Sequence, residues 1–237
     1  MSPDPSELTI APLPESQLAD AARLLAKACP WDRAHLVARE KLFGDAAGGH
    51  GSLPLGAFKG PALVGLAASS HHWIRLLAVL PSHRGKGIGS ALLRACEAQI
   101  AQHSPQLRIM DQPGNYLSPG VDKRNTETIA WLKRRGFAEQ RSACNLFIKL
   151  RNNPKVSEEA LATRIAAAKA HGYRVSRITA AMVEPCAAMV EENFSAGWAF
   201  EIRQAAKASP AGVFLALDEE ANTVAFAAHD GNNQGLG

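Results

Sequence analysis

The stretch His83 to Ser90, HRGKGIGS, constrains this chain more than any other. Gly85, Gly87 and Gly89 alternate with other residues between an apolar run ending at Val79 and an apolar, alanine-rich run continuing to Cys96. Such spacing suits a joint that leaves a strand and opens a helix. Three phosphate-binding patterns compete for it. The P-loop requires Ser or Thr after the Lys, and Gly87 follows Lys86. The dinucleotide fingerprint requires G-x-G-x-x-G, whereas these glycines are spaced two and two. What remains is Arg-x-x-Gly-x-Gly, formed by Arg84, Gly87 and Gly89.

Glycines remove the side chains that would hold a diphosphate away from the backbone, and the first-turn N–H groups of the following helix point at the anion. Arg84 and Lys86 can add charge-assisted contacts. Ile88, Leu92, Ala95 and Cys96 supply the apolar face that pins the helix to a sheet. The bland alternative is a glycine-rich turn with incidental bases.

The remaining sequence narrows the class. With 237 residues and 46% apolar content, the chain can build a real core, which excludes disordered and collagen-like classes. Net charge is +4, with acids interspersed among the bases, so no single-sign tail advertises nucleic acid or a membrane surface. Cys29, Cys96, Cys144 and Cys186 are far apart and have no histidine at metal spacing, so they read as reduced, mostly buried thiols, and no metal is expected. The first residues are Pro- and acid-rich, unlike a signal peptide, and no apolar run reaches membrane-spanning length. The expected location is the cytoplasm.

Period and punctuation give an element order. A strand over Leu8–Leu13 precedes helices over Glu15–Ala28 and Asp32–Leu42. A hairpin follows, turning at Lys59, Gly60 and Pro61, then a strand over His72–Val79, the glycine loop and a helix to Gln102. A strand at Leu107–Met110, a helix at Thr126–Arg134 and a strand at Asn145–Leu150 complete the first part. Ser157–Lys169 reads as a helix with Glu158 and Glu159 well placed at its start.

An internal repeat is also legible. Without gaps, LGAFKGPALVGLAASS from Leu55 lies over LALDEEANTVAFAAHD from Leu215, an offset of 160. Upstream, TIAPLPESQLADAARLL aligns with RITAAMVEPCAAMVEEN in the same strand-then-helix pattern. Two unrelated alanine-rich hairpins would be the alternative. At this offset the counterpart of Arg84 falls beyond Gly237, so one working site is expected, in the first copy.

LLAVLPSHRGKGIGSALL resembles the acyl-CoA-binding motif of the GNAT superfamily of N-acetyltransferases, and NTETIAWLKRRGF is similar to that family's second motif. The resemblance implies an α/β fold with a mixed, mainly antiparallel central sheet flanked by helices. That module would cover 1–151, with a helical linker at 152–172 and a partial second copy at 173–237. It implies that the backbones of Leu77 and Val79 face the pantetheine arm, with the Leu77 N–H polarising the thioester carbonyl. Arg84, Gly85, Lys86, Gly87, Ile88, Gly89 and Ser90 would wrap the pyrophosphate, and Asn125 would contact the CoA arm. Trp131 and Phe137 are expected as packing, and the first two helices with the 111–124 segment would line the acceptor cleft.

One departure stands out. Where many relatives carry a tyrosine that protonates the leaving thiolate, this chain has Leu132. Tyr116, in the long DQPGNYLSPGVDK segment, is the other candidate acid, and no acid at all is the alternative. Candidate bases are Asp111, at a strand end, Asp122, which can also cap the next helix, and His71 and His72, expected on opposite sheet faces. Lys133, Arg134 and Arg135 read as complementing a helix C-terminus.

The resemblance implies acetyl transfer from acetyl-CoA to a primary amine of a small molecule or peptide by direct attack in a ternary complex. The rival is a non-catalytic CoA-binding sensor or scaffold. Neither nucleic acid nor membrane is an expected partner. An open sheet edge in the partial copy invites pairing of two chains.

Overall fold

The computed structural model describes residues 7–46, 49–112, 120–144 and 148–229. The chain forms two compact units, one running through Glu139 and the other spanning Gln140–Asn232.

The first unit is organised around β1 (Leu8–Pro12), β2 (Leu53–Lys59), β3 (Ala62–Ser70), β4 (Trp73–Val79) and β5 (Arg108–Ile109), in that spatial order. The first four pair antiparallel, while β5 pairs parallel to β4. α1 (Leu18–Ala28) and α2 (Ala38–Phe43) connect β1 to β2, α3 (Ile88–Ile100) connects β4 to β5, and α4 (Thr126–Lys133) follows. This is the expected mixed, mainly antiparallel sheet flanked by helices. The β2–β3 turn falls where Gly60 supplies φ +54.

Two bulges decide which side chains reach which face. In β3, Gly65 faces Ala57 but Leu63 faces Phe58, leaving Val64 as the extra residue opposite β2. In β4, Leu76 faces Ala68 but Ile74 faces Ser69, leaving Arg75 as the extra residue. Alternation is broken at each bulge. Ile74 and Leu76, two apart, therefore enter different cores. Leu76 and Ala78 pack with Leu24, Leu25 and Leu42 beneath α1 and α2, while Ile74 and Val79 pack with Ile88, Leu92 and Cys96 beneath α3. Gly65 permits the close approach of α3, since a Cβ there would lie 3.1 Å from both Ile88 and Leu92.

Several boundaries differ from expectation. The Asp32–Leu42 helix is instead a 3-10 turn at Ala34–Val37 followed by α2, because the tighter turn stacks Ala34 and Val37, three apart, into the core. His71 and His72 form the β3–β4 turn, with His71 at φ +49, so they do not alternate across a strand. Of the strand expected at Asn145–Leu150, Ile148 to Leu150 are exposed and not in a strand, and the other three residues lie outside the described residues. Cys96 and Cys186 are buried, but Cys29 is half-buried and Cys144 is exposed.

In the second unit, α5 (Glu158–Ala170) buries no residue and begins at a Ser157 cap. Then come β6 (Arg174–Arg177), α6 (Val183–Asn193), α7 (Ala196–Ala206), β7 (Val213–Leu217) and β8 (Thr223–Ala228). Its antiparallel order β6-β7-β8 matches that of β1-β2-β3, and two helices again separate the first two strands. Ile178, Cys186, Val190, Ile202, Val213 and Leu215 form its core. Among the described residues β8 has β7 as its strand partner. No helix among them is long and apolar enough to cross a membrane.

Candidate functional site

The site begins with an open strand edge. Leu80 N–H donates to the Val64 carbonyl at 3.0 Å, so Leu80, Ala78 and Leu76 point their backbone groups at β3. By alternation, Leu77 and Val79 point theirs to the opposite edge. There β5 pairs only with Trp73 and Ile74, the last rung being Met110 N–H to the Ile74 carbonyl at 2.8 Å. Beyond Ile74, among the described residues, no strand covers that edge.

The glycine loop continues from β4. Pro81–His83 make a 3-10 turn, Gly85 and Gly87 adopt φ +73 and +81, and α3 starts at Ile88. A Cβ on either glycine would meet nothing within 4 Å, so the need for glycine there is conformational. At Gly89 the reverse holds: φ is ordinary, and a Cβ would make contacts of 3.7 Å with Trp131 and 3.8 Å with Val79.

Gly87 caps α3 without a side-chain hydrogen bond, and the first turn holds no acid. The first intrahelical donor is Ala91 N–H, to the Gly87 carbonyl at 3.0 Å. That leaves the Ile88, Gly89 and Ser90 amides at the positive end of the helix for an anion. The conformation and donor set fit the pyrophosphate of CoA.

The two cations of the loop are engaged elsewhere. Arg84 donates from Nε to the Val79 carbonyl at 3.2 Å and from Nη2 to the Ala28 carbonyl at 2.9 Å. Lys86 Nζ donates to the Ser82 carbonyl at 3.0 Å. Arg84 therefore ties the loop to the C-terminus of α1. The guanidinium beside Ser90 is that of Arg135, which donates to Ser90 Oγ at 2.6 Å and to the Trp131 carbonyl at 3.1 Å while lying 4.1 Å over the Trp131 ring. Sequence reasoning assigned Arg135 only to the helix end, because nothing in KRR marks which base turns back towards α3.

Asn125 is the N-cap of α4, its Oδ1 accepting from Thr128 N–H at 3.4 Å. Trp131 and Phe137 pack against the α3 core, as expected, and Leu132 is buried. Asp111 follows β5 past Met110, whose φ of +58 turns the chain. One of its oxygens is held by Arg108, at 2.9 Å from Nε, and the other is buried with no hydrogen-bond partner among the described residues. Gln112 beside it is buried, and neither amide atom has a partner among the described residues. Tyr116 lies outside the described residues.

Asp122 accepts from Arg124 through its backbone N–H at 2.8 Å and its Nη2 at 2.6 Å, and these bonds hold its carboxyl below the ordinary range. Arg124 also lies 4.4 Å over Trp31. Burial, then the charge of Asp122, pushes the Asp32 carboxyl up, against the pull of Arg124. His71 and His72 meet Nδ1 to Nδ1 at 2.6 Å, with His50 stacked on His71 at 4.4 Å. Burial, followed by His71, lowers the pKa of His72. Among the described residues no group of three or more acidic, histidine or cysteine side chains is arranged to hold a metal.

Residues 31–139 match the family described as acetyltransferase (GNAT) domain. A fungal multi-domain GH3 β-N-acetylglucosaminidase, described as holding a GCN5-related glucosamine N-acetyltransferase region, is 15% identical with a TM-score of 0.60. The match covers 98% of this chain and 29% of that protein, so the chain spans less than a third of its length. An aminoglycoside antibiotic 6'-N-acetyltransferase from Acinetobacter haemolyticus is 20% identical, with a TM-score of 0.45, covering 60% of this chain and 98% of that one. The ribosomal-protein-S18-alanine N-acetyltransferase of Escherichia coli is 17% identical, with a TM-score of 0.44, covering 57% and 80%. No curated protein sequence matches the chain. The fold is a mixed α/β, GNAT-like one.

Proposed function

We propose that residues 1–151 form a CoA-dependent N-acetyltransferase that moves acetyl from acetyl-CoA to a primary amine by direct attack in a ternary complex. The observation that carries this reading is the continuity of the Leu77 and Val79 edge, which no strand covers among the described residues, with a glycine loop that opens directly onto the first-turn amides of α3. The amides of Ile88, Gly89 and Ser90 bind the pyrophosphate, and the β4 edge holds the pantetheine arm. The Leu77 N–H, fixed in the strand, donates to the thioester carbonyl oxygen, where negative charge develops. When bound, acetyl-CoA supplies the acyl group and a thiolate leaving group, a far better one than an alkoxide.

Asp111 is the base in this reading. Arg108 orients its carboxylate, which takes a proton from the attacking amine. Tyr116 is the candidate acid. The matching order of β6-α6-α7-β7-β8 and β1-α1-α2-β2-β3 supports a duplicated plan with a partial second copy. The acceptor is a small molecule or peptide, and the fungal neighbour's glucosamine-related region makes an amino sugar the first to try.

Calorimetry with CoA and acetyl-CoA, followed by thiol release across a panel of glucosamine, a polyamine, an aminoglycoside and an alanine-terminated peptide, tests the proposal. Binding together with amine-dependent thiol release is expected. Absence of binding at millimolar ligand would overturn it, and binding without turnover would favour a sensor.

A further inference from the structure

Arg75 is the one charged residue in the strand WIRLLAV, and it stands at two structural discontinuities at once. It is the unpaired residue of the β4 bulge, and it directly follows Ile74, the last β4 residue paired with β5. The sheet therefore opens at Arg75, two residues before the Leu77 edge. Its side chain does not enter that opening. It is 3% exposed and reaches the far end of α2, where Nη1 donates to the Gly44 carbonyl at 2.6 Å and Nη2 to the Glu40 carbonyl at 3.2 Å, with the Asp45 carbonyl at 3.5 Å. Gly44 closes α2 so tightly that a Cβ there would lie 2.7 Å from the Glu40 carbonyl oxygen.

The guanidinium thus holds one carbonyl of α2, that of Glu40, and those of the two residues that follow the helix. A cation suits a helix C-terminus, yet one buried among carbonyl oxygens costs desolvation that an apolar residue would avoid. Shape alone does not call for arginine here. A planar fork does something that an apolar side chain cannot: it fixes distance and angle to several acceptors together. Arg84 makes a parallel connection from the other end of β4, to the Ala28 carbonyl at the C-terminus of α1. Both helices expected to wall the acceptor cleft are therefore tied by arginine to the strand whose edge faces the thioester.

Resting on the acetyltransferase reading above, we infer that Arg75 is a positioning residue for the acceptor. It sets the α2 wall at a fixed place relative to the Leu77 edge, so that the amine lies in line with the acyl carbon. Displacements of about 1 Å in such a wall are enough to change rates by about 100-fold.

The test compares the full chain with Arg75→Met, which keeps the stem and loses every donor, and Arg75→Lys, which keeps the charge and loses the fork. Acetyl-CoA affinity is read by calorimetry. KM and kcat are read by thiol release, using the amine from the panel that the unaltered chain acetylates best. Ile100→Ala, at the buried far end of α3 and in the other core, is the control for general destabilisation. Arg75→Met is expected to raise the acceptor KM about tenfold or more while acetyl-CoA affinity stays within about twofold, with Arg75→Lys giving only partial recovery. Ile100→Ala is expected to lower melting temperature without moving KM.

An acceptor KM unchanged in either folded variant, or acetyl-CoA affinity falling in step with it, would overturn the inference. If Arg75→Met does not fold, Arg75→Lys is judged by the same criteria. If the unaltered chain fails to bind acetyl-CoA, the acetyltransferase reading itself fails. If it binds acetyl-CoA but acetylates no amine of the panel, the acceptor wall and this inference with it are withdrawn while cofactor binding stands.

Discussion

Arg84 Nη2 donates to the carbonyl oxygen of Ala28, 56 residues away in sequence, at 2.9 Å, while its Nε holds the Val79 carbonyl at 3.2 Å. One guanidinium thereby joins the end of α1, the end of β4 and the glycine loop. Arg84→Ala is expected to lower stability by about 1–2 kcal/mol and to weaken CoA binding through disorder of the loop. Arg84→Lys, which keeps the charge but cannot span both carbonyls, should recover little of either. Calorimetry and thermal melts on the pair decide the matter: full recovery of affinity by lysine would mean that Arg84 acts as a charge alone.

Gly87 and Gly89 should affect stability in opposite ways. At Gly87, φ +81 makes any side chain strained, so Gly87→Ala is expected to cost about 1–2 kcal/mol and to weaken CoA binding. At Gly89 the added methyl meets only ordinary contacts within the protein, so Gly89→Ala should raise stability by about 0.5–1 kcal/mol, while a side chain beside the amide that holds the pyrophosphate weakens CoA binding. Differential scanning calorimetry with and without CoA distinguishes the two.

Asp32 should make the protein less stable at neutral pH than an amide in its place. Its carboxyl is shifted up by burial and by Asp122, so the native state binds the proton more tightly than the unfolded chain does. The stability it contributes is complete below the ordinary value of 3.8 and is lost as pH rises through the raised one. Asp32→Asn is therefore expected to raise the melting temperature at pH 7, with the gain shrinking to nothing as pH falls below 3.8. Asp122 has the opposite sign: its lowered pKa gives stability above 3.8 that disappears on acidification. A gain from Asp32→Asn that grows towards low pH would contradict the assignment.

Thiol labelling should find one fast cysteine. Burial pushes Cys29 up to about 11 and Cys96 up to about 12, and it raises Cys186 as well, so little thiolate is present at pH 8. Cys144 is exposed. Iodoacetamide under native conditions should modify Cys144 first, and the others should react at comparable rates only after denaturation. Mass spectrometry of peptides gives the order directly.

α5 buries no residue, so its helicity rests on local interactions. Ser157 Oγ accepts from Ala160 N–H at 3.2 Å, and Glu158 and Glu159 sit in the first turn. Ser157→Ala is expected to cost about 1 kcal/mol of helix stability. Circular dichroism should show a loss of helical signal in the full chain while the melting temperature of the first unit stays put.

The sequence by itself determined the strand-loop-helix joint at 79–90, because glycine at positive φ, an uncapped helix start and an apolar helix face are all local properties. It also determined the hairpin turn at Lys59 to Ala62 and the packing roles of Trp131 and Phe137. Only the tertiary structure decided where the sheet opens. The bulges at Val64 and Arg75 depend on cross-strand register, and a single inserted residue sends Ile74 and Leu76 to different cores although alternation places them together. It likewise decided which arginine serves which carbonyl. A long guanidinium finds its partner through space, so Arg75 at α2, Arg84 at Ala28 and Arg135 at Ser90 carry no signature in the residues around them.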